Sequence, residues 1–358
     1  MHTDRIILFP YYAILSLRNF LFDRNIIKQH SFSTPTICVG NITVGGTGKT
    51  PHVEFLISLF QDQYKIAVIS AGYKRKTKGN IEVQCDDNYK KVGDEPLQIK
   101  NKFPDIRVIV DKSRKRAIRN LESLPEGEKP ELIILDDAFQ HRAIKPTISI
   151  LLVNNKRPIF EDSLLPIGRL RDLPNQIKRA DIAIITKLDE IEESKREEWR
   201  KKIHLSSKQK IFFSKYKHKE LTPVFSSYGD PRYSHSKQAI IVAGIADTRV
   251  LENSVVENYK LRDVIRFSDH HDFTKSEIKK IAKIATKKYP LSIIITTEKD
   301  AQRLKHLSGI PESLKKRLFY IPIEVEMIPI VDPSLMLIPS EISELGKKEF
   351  IKTVKAYL

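Results

Sequence analysis

The sequence predicts an α/β fold: a mostly parallel sheet flanked by helices, with a second, smaller α/β domain and an amphipathic N-terminal helix. Three observations carry this. Short Ile- and Val-rich runs alternate with amphipathic or charged stretches. A glycine-rich turn sits between a predicted strand and a predicted helix, and an apolar strand ends in paired aspartates. With 358 residues, the chain is long enough for about two domains of roughly 150 residues each. Its 41% hydrophobic content argues against disorder. The 62 Lys and Arg against 45 Asp and Glu leave a formal charge of +17, which suits an anionic membrane surface or a phosphorylated substrate. No finger, homeodomain or aromatic ribonucleoprotein motif accompanies the charge, so no nucleic-acid partner is expected. Cys38 and Cys85 are too few for a disulfide framework, and a reducing, cytosolic compartment is expected. No uncharged apolar run reaches 18 residues, so no conventional transmembrane helix is expected.

Taken in order, Pro10 opens a helix over residues 11–24. Ala13, Ile14, Leu17, Phe20 and Leu21 share one face, Ser16, Asn19 and Asp23 the opposite one, and Arg18 and Arg24 flank the apolar arc. The pattern fits a helix lying in a membrane interface and equally one docked on the protein's own core. Strands are expected over 36–41, 66–70, 107–110, 132–135, 149–153, 182–186, 240–243 and 293–296. Helices are expected over 51–60, 113–121, 191–202, 248–257 and 274–287. Pro158, Pro166 and Pro174 interrupt the region after 153, so a domain boundary is expected near 155. The division is a membrane-associating helix over 1–30, a nucleotide-binding domain over 31–155 and a second domain over 156–358 whose C-terminal part can pack back on the first.

Gly45-Gly46-Thr47-Gly48-Lys49-Thr50 has the context of a phosphate-binding P-loop. Backbone N–H groups over Thr43, Val44, Gly45, Gly46, Thr47 and Gly48 approach phosphate oxygens, Lys49 adds a point charge, and Thr50 can hold Mg²⁺. The strict pattern has Gly where this chain has Thr43, and the plain alternative is a strand-to-helix turn with an incidental Lys. Asp136 and Asp137, ending an apolar strand, can coordinate Mg²⁺ beside that loop. Val92-Gly93-Asp94-Glu95-Pro96 and Phe267-Ser268-Asp269-His270-His271 supply Asp94 and His270 as a candidate dyad to take a hydroxyl proton. The alternatives are an exposed turn at Asp94, a helix cap at Asp269 followed by a Thr274/Glu277 capping box, and a Zn²⁺ site from Asp269, His270, His271 and His141. Adjacent His side chains usually diverge, which disfavours the last. Arg75, Arg114 and Arg171 are candidates for anionic substrate oxygens.

These motifs, with Leu165-Pro166-Ile167-Gly168-Arg169-Leu170-Arg171-Asp172 and Thr297-Glu298-Lys299-Asp300-Ala301, occur in the order found in tetraacyldisaccharide 4'-kinases, the lipid A pathway kinases of Gram-negative bacteria. The chain resembles that family along nearly its whole length. The resemblance implies ATP- and Mg²⁺-dependent phosphorylation of the 4' hydroxyl of an acylated glucosamine disaccharide 1-phosphate, giving lipid IVA. It implies peripheral attachment to the cytoplasmic face of the inner membrane and no obligate protein partner. It gives Asp94 as base with His270, Asp136 and Asp137 on Mg²⁺ and in catalysis, and Glu95, Arg171 and the 72–76 loop on substrate; Lys49 of the glycine-rich loop is the further catalytic candidate. The chain departs from the family pattern at Ala71, Lys74, Ala138 and Asp172. A P-loop GTPase remains the rival, because Thr186-Lys187-Leu188-Asp189 imitates Asn-Lys-x-Asp, and a membrane-associated binding protein is the non-enzymatic alternative.

Overall fold

The computed structural model describes residues 8–188, 193–225, 233, 235–245, 247–329 and 338–358. Residues 1–7 of the expected N-terminal segment, Asp189, and residues 191–192 of the helix expected after the strand over 182–186 lie outside them. Helices of two turns or more are α1 Phe9–Asp23, α2 Lys49–Phe60, α3 Asp94–Lys102, α4 Arg114–Glu122, α5 Glu193–Lys202, α6 Arg249–Asn258, α7 Lys275–Lys287, α8 Glu298–Lys305 and α9 Pro339–Lys355.

The strands are β1 Thr36–Gly40, β2 Ile66–Ser70, β3 Ile81–Glu82, β4 Arg107–Val110, β5 Leu132–Asp136, β6 Ile148–Asn154, β7 Ile182–Thr186, β8 Lys210–His218, β9 Thr222–Pro223, β10 Gln238–Ala243, β11 Lys260–Arg266, β12 Ile293–Thr297, β13 Leu318–Ile321 and β14 Ile323–Ile328. They form two sheets. The larger has the order β14-β8-β7-β6-β1-β5-β2-β4-β3, the smaller β11-β10-β12-β13-β9. Both are parallel except where β3, β14 and β9 pair antiparallel at the edges. Strands covered on both faces read as continuous apolar runs, and β1 shows why. Cys38 enters the core shared with Leu15 of α1 and Ile118 of α4. Its neighbours Ile37 and Val39 enter the opposite core, with Val53 and Ile57 of α2.

The α/β class and the mostly parallel sheet are those the sequence predicts. The expected boundary at 155 falls between β6 and β7 of the larger sheet. The prolines after 153 lie in a segment that packs onto that sheet through Leu164, Leu170 and Leu173, so they interrupt secondary structure without ending the domain. The chain passes to the smaller sheet after β8 and returns through β14 and α9, where Phe350 and Val354 join the larger core.

The end of β1 packs tightly on the segment after β5. A Cβ added to Gly40 would stand 2.6 Å from the Phe139 Cβ and 2.9 Å from its backbone nitrogen. Gly40→Ala is therefore expected to cost about 1–3 kcal/mol of stability by overpacking, read as a lowered urea midpoint with unchanged m-value.

Candidate active site

The glycine-rich loop leaves β1 and turns into α2 through left-handed backbone at Gly45, Gly46 and Gly48 (φ +69°, +64° and +84°). These are the positions where the missing side chain matters. A Cβ at Gly48 would also collide with the Tyr216 hydroxyl. Thr43 needs no such freedom. It is buried, and the Asn41 amide donates to its hydroxyl (3.4 Å) and to that of Thr47 (2.5 Å), so side-chain hydrogen bonds hold the loop where the strict pattern uses glycine. The end of β7 braces it: the Thr186 hydroxyl donates to the Thr47 carbonyl (3.2 Å).

Beside the loop, β5 delivers Asp136 and Asp137. The buried Asp136 carboxylate accepts from the Ser70 hydroxyl (2.9 Å), and among the described residues no Lys or Arg side chain pairs with it. Burial, reinforced by Glu95 and Asp137, pushes it up to about 6. Asp137, in left-handed backbone (φ 48°), behaves oppositely. Burial pushes its carboxyl up, but Lys49 and Arg171 outweigh burial and hold it below the ordinary range. Arg171 donates to both Asp137 oxygens, one at 3.0 Å, and the Lys49 ammonium lies 3.7 Å away. Arg114 reaches the same strand end through its backbone, donating to the carbonyls of Asp136 (3.1 Å) and Asp111 (3.2 Å).

Asp94 opens α3, and His270, in left-handed backbone (φ 58°), comes from the smaller-sheet lobe. They meet: His270 Nδ1 lies 3.1 Å from Asp94 Oδ2. Two cations from α8, to which sequence reasoning gave no role, complete the cluster. Arg303 donates to the same Asp94 oxygen and, at 2.8 Å, to Asp300. The Lys299 ammonium stands 2.8 Å from His270 Nε2 and 3.0 Å from Glu95 Oε1. Burial pushes the Asp94 carboxyl up, but the His270 hydrogen bond, Lys299 and Arg303 together hold it far below the ordinary range. The usable signal was the i, i+4 spacing of Lys299 and Arg303 on one face of a helix capped by Thr297.

A cleft of about 930 Å³ joins these groups. Lys49 and Thr50, Asp136 and Asp137, Arg114 and Arg171, and Glu95, His270 and Lys299 all line it. Asp94 does not; it stands behind His270. Arg75 does not either: its guanidinium turns back to the Gly79 carbonyl (2.7 Å), while its neighbours Tyr73 and Lys74 line the cleft. The Zn²⁺ reading is overturned, since no three-ligand cluster exists among the described residues. The adjacent histidines diverge, His270 to Asp94 and His271 to Glu277 (3.0 Å). The cap of α7 is Thr274 in a capping box with Glu277.

The arrangement brings a glycine-rich turn with its lysine, two strand-end aspartates and a histidine backed by Asp94 to one cavity. A family described as tetraacyldisaccharide-1-P 4'-kinase matches residues 5–336. The chain belongs to that family. Tetraacyldisaccharide 4'-kinase of Parabacteroides distasonis is 42% identical over 331 residues, 88% of each chain. That of Flavobacterium johnsoniae is 39% identical over 339 residues, 92% of this chain and 94% of its own. The crystal structure of LpxK from Aquifex aeolicus in complex with ATP superposes with a TM-score of 0.68 at 26% identity, covering 97% of this chain and 98% of that one.

In this tetraacyldisaccharide 4'-kinase relative, α1 turns its polar side inward. Buried Asn19 donates to Asp172 (3.0 Å), Arg142 donates to the Asn19 carbonyl (3.1 Å) and to Asp23 (2.6 Å), and Arg18 donates to the Gln140 carbonyl (2.5 Å). Leu15 and Phe22 dock beside them. The apolar arc points outward, with Phe9, Ile14, Leu17 and Phe20 from 50% to 66% exposed. The helix docks on the rest of the chain through its polar side and Leu15 and Phe22, so the apolar arc is not the face that meets the core. No described helix is long and apolar enough to cross a membrane.

Proposed function

We propose that this chain transfers the γ-phosphoryl group of ATP to the 4' hydroxyl of a tetraacylated glucosamine disaccharide 1-phosphate. The convergence of Lys49, the Asp136/Asp137 strand end and the His270–Asp94 pair on one cleft carries the reading. The N–H groups of residues 45–48 and the Lys49 ammonium grip the triphosphate oxygens; Thr43, expected to join them, does not line the cleft, and the Val44 N–H is already donated to the Arg169 carbonyl (2.8 Å). Thr50 and Asp136 offer the hard oxygen donors that Mg²⁺ prefers, and Asp136 is a buried carboxylate with no cation paired to it among the described residues. Asp137 stays bridged to Lys49 and Arg171. Bound there, Mg²⁺ neutralises charge on the transferring phosphoryl group. His270, backed by Asp94, takes the hydroxyl proton, while Glu95, Arg114 and Arg171 orient the anionic sugar substrate. Catalysis rests on positioning and charge neutralisation. The test is phosphotransfer from ATP with Mg²⁺ to the disaccharide 1-phosphate in detergent micelles; no transferred phosphate from the wild-type protein ends the proposal.

The outward apolar arc of α1, flanked by Arg24, fits peripheral attachment to an anionic leaflet, at the cytoplasmic face of the inner membrane where ATP is available, without a protein partner. Burying one large apolar side chain is worth about 1.5–3 kcal/mol. Leu17→Glu with Phe20→Glu is thus expected to weaken binding to anionic vesicles by about 100-fold or more, read by co-sedimentation. Both side chains are exposed, so the melting temperature and the turnover in micelles stay at wild-type values.

A further inference from the structure

The contact between Lys299 and His270 has a definite polarity. A carboxylate only accepts, so the nitrogen facing Asp94, Nδ1, carries the ring proton. An ammonium only donates, so Nε2, 2.8 Å from Lys299, presents its lone pair. Partners of opposite polarity at the two ring nitrogens select one tautomer and one ring orientation. The backbone is tied to the same helix turn: His270 N–H donates to the Gly244 carbonyl (3.2 Å), and Gly244 N–H donates to Asp300 (2.8 Å), one residue from Lys299. Tyr73 packs against the side of the ring at 5.1 Å.

We propose that Lys299 is a positioning residue for proton transfer: its ammonium, shared between His270 Nε2 and Glu95, keeps that lone pair aimed into the cleft until the substrate hydroxyl takes its place. The inference rests on the phosphotransfer reading. Lys299 has a second partner, Glu95 Oε1 at 3.0 Å, so it stays paired when it leaves the ring. Its departure is required, because an imidazolium and an ammonium cannot remain in hydrogen-bond contact. In the step that follows, the 4' O–H bond breaks and its proton goes to Nε2. The oxygen's electron pair forms the bond to the γ-phosphorus, and the bond from that phosphorus to the β–γ bridging oxygen breaks, its pair leaving on ADP. The ionisable groups around the ring are Asp94 and Glu95 of α3, Lys299 and Arg303 of α8, Asp269 of its own segment, and Tyr73.

The test compares Lys299→Met, Lys299→Arg and Glu95→Gln in the full-length protein, each checked by thermal melting. Lys299→Met is expected to lower kcat by about 10- to 100-fold with KM for ATP unchanged. Losing a cation beside the acceptor should move the acid limb of kcat/KM to higher pH, and the ¹⁵N signals of His270 should leave the Nδ1–H pattern. Lys299→Arg keeps a donor and should retain that pattern, with kcat within about 10-fold of wild type. Glu95→Gln, which leaves Lys299 without its second anchor, should lower kcat while the tautomer stays unchanged; if Lys299→Met does not fold, Lys299→Gln, uncharged and hydrophilic, carries the test through the same loss of kcat and the same shift of the acid limb. A wild-type pH profile and ¹⁵N pattern in Lys299→Met overturns the inference. So does an unchanged kcat with a raised KM for the lipid, which would make Lys299 a substrate contact. Full activity of His270→Gln would instead overturn the reading beneath it, so the two failures are distinguishable.

Discussion

Asp94→Asn is expected to lower kcat for phosphotransfer by about 10²- to 10⁴-fold, the range associated with losing a general base. Asp94 lies outside the cleft lining, so the loss acts through His270. The Asp94 carboxylate only accepts, and it faces Nδ1 at 3.1 Å. An Asn amide there can also donate, which favours the tautomer with the proton on Nε2 and removes the acceptor from the cleft. In Ser-His-Asp triads the same exchange lowers kcat about 10⁴-fold for this reason. His270→Gln should match the effect, and the double variant should be little worse than either single one, because the pair acts as a unit. ATP affinity should hold, since neither side chain belongs to the phosphate loop. Stability changes with a predictable sign. The folded-state pKa of Asp94 is depressed, by His270, Lys299 and Arg303 against burial. Its contribution is therefore present above the ordinary carboxylate pKa and is lost as pH falls through the lower folded value. The melting temperature of Asp94→Asn should lie below wild type at pH 7, and the gap should narrow in acid. Arg303 keeps Asp300 as a partner at 2.8 Å, which limits the loss.

Much of this site could be read from residue order because its parts announce themselves locally. A glycine turn between strand and helix, or aspartates closing an apolar strand, are signals contained in a dozen residues. The smaller sheet and the edges were harder. β8 carries Lys210, Lys215 and Lys217 and lies second from the edge, half covered, so its alternation is broken by charge. α3 read as a turn because Gly93 and Pro96 dominate the pattern, although Asp94 and Glu95 in the first turn are what a helix N-terminus favours. Arg75 drew attention as a guanidinium beside a glycine loop. Its direction depended on the loop fold over 72–79, which turns it to Gly79. Arg303 and Lys299 were legible only as helix-face charges; their meaning comes from α8 packing across α3, where Gln302 also meets Asn101 (2.9 Å). Long-range pairing of lobes leaves no local trace, and that is where the second half of the site comes from.

Lys49→Ala separates phosphate grip from proton acceptance. The Lys49 ammonium faces Asp137 at 3.7 Å, and Arg171 donates to the same carboxylate at 3.0 Å. Removing Lys49 therefore leaves no carboxylate unpaired, and the melting temperature should change little. The chemistry should suffer far more. A preorganised cation aimed at charge that develops on the transferring group is worth about 10²- to 10³-fold in kcat, and the lost contact to the ground-state phosphates should weaken ATP binding in addition. Lys49→Arg should recover little, because a broad, planar guanidinium does not replace a compact point charge in a backbone cradle. The lipid KM should stay at its wild-type value, since the substrate hydroxyl approaches from the His270 side of the cleft. Titration calorimetry with ATP then sorts the two variants: Asp94→Asn binds nucleotide like wild type and turns over slowly, whereas Lys49→Ala loses both. A Lys49→Ala protein that bound ATP normally and kept its kcat would mean that the glycine loop does not hold the reacting phosphates, and the cleft would have to be assigned another chemistry.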